Sequence, residues 1–580
     1  MSCQFANLNE LWSRTIAETL RAKGVRYAVI CPGSRSSPLA FAFARTKGIE
    51  AISVLDERSA AFFALGLAKR EGVATALVCT SGTAAANFFP AIIEASESGV
   101  PLFALTADRP HELRGCRAGQ TIDQVGLYGA YPVDQIELAL PEASLEKLGD
   151  LRETVSVLCD RTFAPRSGPV HVNVPFRDPL PPLKDESFRN PFPDDSWKNY
   201  FDGLGTAKET RSPVELDLSS FADTDRGVVI VGATLAPYGD CWVKNVASLS
   251  AALKWPVLTD ALNPIRNHSD RFPNCVSGYD VICRSSIADG NLAPEKAIVV
   301  GDLPISKMLR SWLERNDIEM VFLNALGGNF DSTHGRSKNL YFDFNCGLPE
   351  VRDRSNRAFA ENWLKADRQV QDHARIRLEA LGGFFEGKVA SVLSWHLPSQ
   401  SSLFVSNSMP PRDMEFFWGL NNRGVNVHCS RGANGIDGIL STAMGVAHGG
   451  KPSFLLTGDL ALLHDSNGAL ISSVLKGSLT IVLVNNSGGG IFEMLPVASL
   501  GEEFEQFFVT DQQIDFSNWA VTYGIEYKRP ESWSEFTALI ERVPEAGVRL
   551  IEVVTDRKAD SKMRKQWFAE IVETLGTLSV

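Results

Sequence analysis

One pattern constrains this chain more than any other: short apolar runs that end in small-residue turns and hand over to helical stretches, again and again. From Leu8 to about Val174 the expected strands are "RYAVIC", "AISVL", "ATALVC" and "VPLFALT". A second set reads "RGVVIVGAT", "WPVLTDA", "KAIVVGDLP" and "IEMVFLNA"; a third reads "SSLFVSNS", "GVNVHCS", "KPSFLLTGD", "LTIVLVNNS" and "VRLIEVVT". Strands joined by helix-length connections cannot pair as hairpins, so they build parallel βαβ units covered on both faces. With 580 residues the chain exceeds what one core can hold. The expected fold is α/β: three doubly wound domains with mostly parallel sheets. The Pro- and charge-rich "VPFRDPLPPLKDESFRNPFPDDSW" reads as a linker, and "SNRAFAENWLKADRQVQDHARI" as a helical crossing. These features divide the chain into a first α/β domain at 1–186, a linker at 187–214, a central α/β domain at 215–354 and a last α/β domain at 355–580. Between the first and last there is a weak echo, "VICPGSRSSPLA" against "FVSNSMPPRDME", each a strand, a small polar turn and an arginine.

The net charge of −12 argues against a nucleic-acid partner, and it requires that any anionic substrate be drawn in by a local basic pocket. Ten cysteines occur without a C-x-x-C pair, the usage of reduced thiols in a cytoplasmic protein. Asn and Glu interrupt every apolar run of the opening "MSCQFANLNELWSRTIAETL", which makes it an amphipathic helix and not a leader. No run is long enough to span a membrane.

Open α/β sheets bind ligands at the carboxyl ends of their strands, and two such ends stand out. One strand runs into Thr457-Gly458-Asp459; the next ends at Asn485-Asn486, ahead of Gly488-Gly489-Gly490. One helix and a return strand fit between them, which brings acid and amide to the same sheet edge. A carboxylate, a carboxamide oxygen and a main-chain carbonyl make a hard oxygen set suited to Mg²⁺, with glycines that admit a diphosphate. Either turn alone is ordinary turn chemistry; the pair is not. A second puzzle is "AISVLDERSAAFFALGLAKREG", where Asp56-Glu57 falls between a strand and an apolar helix. On its own it reads as helix capping.

G-D followed by N-N resembles the cofactor motif of thiamine diphosphate enzymes, although Leu460 stands where that motif usually has a second glycine. "GDLALLHDSNGAL" and "VNNSGGGIFEMLP", together with "CPGSRSSPLA", "LDERSAAFFALGLAK", "TSGTAAANFFPAIIEA", "TADRPHELRG", "GQTIDQVGLYG" and "SRGANGIDGILSTA", resemble one branch of that superfamily in order and over nearly the whole chain. The branch is the 2-succinyl-5-enolpyruvyl-6-hydroxy-3-cyclohexene-1-carboxylate synthases of menaquinone and phylloquinone biosynthesis. The resemblance is thinnest from about 190 to 350. It implies a thiamine diphosphate-binding fold, with a pyrimidine-binding first domain and a diphosphate-binding last domain. It makes Glu57 the catalytic acid against the aminopyrimidine and places Ser408, Met409, Ile436 and Gly458 at the cofactor. Asp459, Asn486 and the Gly488 carbonyl then hold Mg²⁺ or Mn²⁺.

The implied reaction decarboxylates 2-oxoglutarate and adds the resulting succinic-semialdehyde carbanion equivalent, in 1,4 fashion, to isochorismate. Both substrates are anions that guanidinium groups grip at two points. Arg35, Arg109, Arg412 and Arg431 lie at turns after expected strands; family position adds Ser34, Gln120, Lys307, Asn407 and Ser408 as polar contacts and Ile491, Phe492 and Leu495 as an apolar wall. Met308 follows Lys307 where some relatives have a second cation. His111, His428, His448 and His464 show no metal-ligand spacing and are expected to be structural. The family implies a homodimer or homotetramer with its active site between subunits. Two alternatives remain at this point: another thiamine diphosphate-dependent 2-oxoacid decarboxylase or acetolactate-type synthase, and a non-catalytic regulatory homologue. A dinucleotide oxidoreductase is disfavoured because no G-x-G-x-x-G follows a first strand.

Overall fold

The computed structural model describes residues 5–192, 196–207, 215–234 and 238–578. Three six-stranded sheets organise them. The first contains β1 (Tyr27–Ile30), β2 (Glu50–Ser53), β3 (Thr75–Cys79), β4 (Leu102–Asp108), β5 (Asp134–Glu137) and β6 (Pro169–Pro175), in the order β2-β1-β3-β4-β6-β5. The second contains β7 (Gly227–Val231), β8 (Val257–Thr259), β9 (Cys275–Val276), β10 (Lys296–Val300), β11 (Glu319–Asn324) and β12 (Ser337–Tyr341), in the order β12-β11-β10-β7-β8-β9. The third contains β13 (Ser402–Val405), β14 (Asn426–Cys429), β15 (Ser453–Gly458), β16 (Ser478–Asn485), β17 (Glu526–Lys528) and β18 (Gly547–Val554), in the order β14-β13-β15-β16-β18-β17. Every pairing between these strands is parallel, so the expected α/β class holds and the sheets are parallel throughout. Strands β3, β4 and β6 are buried at every residue, the signature of a parallel sheet covered on both faces.

The first and third sheets share one strand order, in which the chain leaves the first strand to one side and returns on the other. That explains the echo in the sequence: "VICPGSRSSPLA" and "FVSNSMPPRDME" are the first strand, turn and helix of matching sheets, at the place where an open sheet forms its ligand crevice.

The residues separate into two compact units. The first comprises Met1–Arg211 together with Ser430–His448 and Asp465–Leu475. Its core is built on the first sheet, with Trp12, Phe43, Phe103 and Val172 buried. Phe192, Trp197 and Phe201 of the expected linker are buried in the same core, and Ser196–Asn199 forms one turn of helix there. Residues 193–195 and 208–214, where part of the expected linker and its end fall, lie outside the described residues. The apolar helix Glu57–Glu71 packs against Ile439–Ala447 with no room for side chains at the crossing: a Cβ on Gly66 would stand 2.1 Å from the Thr442 carbonyl oxygen, and one on Gly445 would stand 2.2 Å from that of Phe63.

The second unit comprises Ser212–Cys429, Gly449–His464 and Lys476–Val580, and one apolar core runs from the second sheet to the third. Arg266 is buried within it; its guanidinium donates to the Thr259 and Ser277 carbonyls and to Glu415 Oε1 at 2.7, 3.0 and 2.9 Å. Among the described residues no helix is long and apolar enough to cross a membrane.

Candidate active site

In the first unit, β2 gives way to the Asp56-Glu57 turn and its helix. Asp56 is the N-cap: its Oδ1 accepts the Arg58 and Ser59 amides at 2.9 and 3.3 Å. Its Oδ2 accepts Asn467 Nδ2 at 2.7 Å. Capping is thus the work of Asp56. Glu57, the first helical residue, is half-buried, and among the described residues no hydrogen bond or ion pair engages its carboxylate. It lies close enough to Cys31 that, after burial, its charge is the next cause pushing that thiol up. A half-buried carboxylate without a protein partner is available to an external one.

Around β3 the same unit gathers polar groups. Arg35 is buried and donates to the Phe176 carbonyl at 3.0 Å. Burial and then the charge of the neighbouring Arg109 lower its pKa. Arg109 donates to Ser81 Oγ, and Gln120 Nε2 donates to the Ser81 carbonyl at 2.9 Å. Two predicted residues, Arg109 and Gln120, therefore converge on Ser81, with Arg35 beside Arg109. Beneath them Gln124 accepts the Gly82 amide at 2.8 Å and donates to Asn173 Oδ1 at 2.9 Å. Ser34 is exposed in the turn after β1. The loop carrying Arg431 and Ile436, both half-buried, is held by Glu94: its carboxylate accepts the Gly432 and Ala433 amides at 3.2 and 2.7 Å, with Lys69 3.8 Å away. His448 bonds Glu50 at 2.9 Å, the structural part expected of it.

In the second unit, Gly458 at the end of β15 pairs with Val484 of β16, which sets Asp459 beside the Asn485-Asn486 turn. Asp459 Oδ2 accepts the Gly488 amide at 2.7 Å. Burial pushes its carboxyl up to about 6. Asn486 donates through Nδ2 to Glu386 Oε1 at 2.5 Å, while its buried Oδ1 has no partner among the described residues. Gly488 has φ of 126°, and a Cβ there would meet the Val509 carbonyl oxygen at 2.3 Å, so only glycine serves. A buried acid that resists ionisation and an orphaned carboxamide oxygen fit a hard divalent cation. Nothing approaches within 4 Å of where a Gly458 Cβ would sit, which leaves open space at the strand end for a diphosphate.

The turn after β13 carries Asn407, buried; Ser408, at φ 75°; and Met409, buried. A non-glycine residue in that region is held there by its surroundings, and such strain clusters at binding sites. Arg412 donates to the Ser408 carbonyl, so turn and arginine come as one piece. Ile491 and Phe492 are half-buried on the single-turn helix Gly490–Met494, and Leu495 is exposed at its end. Lys307 starts the helix Lys307–Arg315, exposed, and among the described residues no hydrogen bond joins it to another predicted site residue. Arg310, the next cation along the same helix, is turned back onto the Ile305 carbonyl at 3.1 Å. Ser81, Glu94 and Gln124 lie inside motifs without a residue type that marks them as site residues, and Glu386 lies in no motif; only their partners give them meaning.

Comparison with known proteins identifies the family. Residues 12–127 match the N-terminal thiamine pyrophosphate-binding domain of thiamine pyrophosphate enzymes, 196–405 the middle domain and 417–553 the C-terminal thiamine pyrophosphate-binding domain. A 2-succinyl-5-enolpyruvyl-6-hydroxy-3-cyclohexene-1-carboxylate synthase of Trichormus variabilis is 45% identical over 97% of this chain and 98% of its own length. Synthases of the same name from Rippkaea orientalis and a Synechococcus species are 43% and 45% identical, each over 99% of this chain and 98% of their own length. The chain belongs to the 2-succinyl-5-enolpyruvyl-6-hydroxy-3-cyclohexene-1-carboxylate synthase family of thiamine diphosphate enzymes.

Proposed function

We propose that this chain is a carboligase that takes 2-oxoglutarate and isochorismate to 2-succinyl-5-enolpyruvyl-6-hydroxy-3-cyclohexene-1-carboxylate and CO₂, a step toward menaquinone or phylloquinone. The observation that carries it is end-to-end identity of 43–45% with synthases of that name. Thiamine diphosphate, when bound, supplies the carbon nucleophile and the electron sink for decarboxylation. Glu57 would hold a proton against the aminopyrimidine ring, a task suited to a half-buried carboxyl that no group among the described residues engages. Asp459 Oδ, Asn486 Oδ1 and the Gly488 carbonyl hold Mg²⁺ or Mn²⁺, and Gly458 lets the diphosphate approach. Ser408, Met409 and Ile436 would line the cofactor.

Arg109 and Gln120, already grouped at Ser81, and Arg35 beside Arg109 grip substrate carboxylates together with Ser34, Asn407, Ser408, Arg412 and Arg431. Ile491, Phe492 and Leu495 form the apolar wall, and Lys307 is an outlying contact. The division at 1–186, 187–214, 215–354 and 355–580 stands as part of the proposal. So does a cytoplasmic homodimer or homotetramer with shared active sites; the free buried thiols Cys31, Cys79 and Cys159 support the cytoplasmic placement. The test is to incubate the protein with thiamine diphosphate, Mg²⁺, 2-oxoglutarate and isochorismate and to identify the adduct by mass. CO₂ release from pyruvate but not from 2-oxoglutarate would overturn the assignment.

A further inference from the structure

Asn486 poses a question its own motif does not answer. A carboxamide has two chemically opposite ends of nearly equal size, and a cation tolerates only one of them. Free rotation would leave Asn486 presenting N–H to the metal part of the time. The side chain is buried, and its two ends differ sharply: Nδ2 meets Glu386 Oε1 at 2.5 Å, and Oδ1 has no partner among the described residues. A carboxylate only accepts, so it selects the nitrogen and turns the oxygen away.

The selecting group is itself fixed. Glu386 is buried at the first position of the helix Glu386–His396. Its Oε2 takes Arg564 Nη2 at 2.9 Å, and the same nitrogen reaches Asp413 Oδ1 at 2.7 Å. Its backbone amide donates to Asp560 Oδ2 at 3.1 Å. Arg564 thereby holds the Glu386 carboxylate in place, and Asp413 ties Arg564 to the helix that follows Ser408 and Met409.

We propose that Glu386 is the positioning residue of the cation site, holding the Asn486 amide nitrogen so that the carboxamide oxygen faces the metal. The proposal rests on Asp459 and Asn486 being the metal ligands. Outer groups that orient a ligand commonly govern metal affinity by about 10- to 100-fold. Glu386→Gln removes the selection, because a glutamine can donate to Oδ1 as readily as it accepts from Nδ2.

The test is a titration of Mn²⁺ into protein carrying thiamine diphosphate, with free Mn²⁺ read by electron paramagnetic resonance, so that no turnover is needed. Glu386→Gln weakens Mn²⁺ binding by about 10-fold or more while circular dichroism stays native. Adding Asn486→Asp to that variant moves the charge across the same hydrogen bond and offers oxygen at both ends, so affinity returns. Packing damage at 386 would not be rescued in this way. If Glu386→Gln does not fold, Glu386→Asp keeps the charge for Arg564 but shortens the reach to Asn486, and the same loss is expected. Wild-type affinity in Glu386→Gln, or a double variant no better than the single, overturns the proposal and leaves the metal site standing. Undiminished binding in Asp459→Asn overturns the site itself, and the proposal with it.

Discussion

The adjacent acids at the head of the helix Glu57–Glu71 divide two tasks, and two substitutions separate them. Asp56→Ala removes a cap that accepts two backbone amides and a second bond, at 2.7 Å, from Asn467. The cap is worth about 1 kcal/mol, and a solvent-accessible bond to a carboxylate about 1 kcal/mol more. For a unit of this size, about 2 kcal/mol moves the melting midpoint by roughly 4–8 °C. Glu57→Gln deletes no hydrogen bond among the described residues and forfeits only the interaction of a charge with the helix N-terminus, about 0.5 kcal/mol. Its midpoint should stay within about 2 °C of wild type. Chemistry should run the other way: exchange of the thiamine C2 proton, followed by nuclear magnetic resonance in deuterated buffer, falls by about 100-fold or more in Glu57→Gln, the scale of a lost general acid. It stays within about 10-fold of wild type in Asp56→Ala, which keeps that acid. Wild-type exchange in Glu57→Gln, or a melting shift in that variant equal to the one in Asp56→Ala, would refute this division.

Other outcomes follow from the packing, the buried acids and the arginine cluster. Gly445→Ala drives a Cβ to 2.2 Å from the Phe63 carbonyl oxygen and forces two helices apart; a loss of about 2–3 kcal/mol is expected in thermal melting, more than alanine's helical preference of about 1 kcal/mol restores. Burial raises the Asp465 carboxyl to about 6. A raised acid stabilises the fold fully below its unfolded pKa and loses that contribution as pH climbs through the folded value. Wild type should therefore lose about 2 kcal/mol relative to Asp465→Asn between pH 4 and 6, measured by paired denaturation curves. Arg109→Met removes the guanidinium that reaches Ser81, and the KM for an anionic substrate should rise by about 10- to 100-fold in steady-state assays, with no rescue by lysine.

What sequence reveals here tracks burial. Interior strands such as "TALVC" and "SLTIVLVN" are legible because parallel sheets covered on both faces need continuous apolar runs. The strands that escape notice are mostly edges: "DQIE", "CV", "SKNLY" and "EYK" are short, and all but "CV" are partly exposed. The interior β6 escapes for another reason. Its valines alternate with His171 and Asn173, which serve a buried polar network through Thr106 and Gln124. In the candidate site, the Asp459 and Asn486 turns are legible because adjacent parallel strands must deliver their ends together. Glu386 is hidden: an acid at a helix start looks the same whether it caps, catalyses or orients a distant amide. The arginine cluster shows both faces of the problem, since strand-end turns predict Arg35 and Arg109 but not the Ser81 between Arg109 and Gln120.

The first compact unit is not one stretch of chain: the partner of its helix Glu57–Glu71 is residues 439–447, and the bond to Asp56 comes from Asn467. During synthesis the opening third of the protein therefore emerges well before the pieces that complete it. About 260 further residues must follow, which takes roughly 13–50 s at ordinary translation speeds. Over that interval an alanine- and phenylalanine-rich helix face stays uncovered, a natural client for chaperones. Severing the chain after residue 211 would leave the same face bare for good.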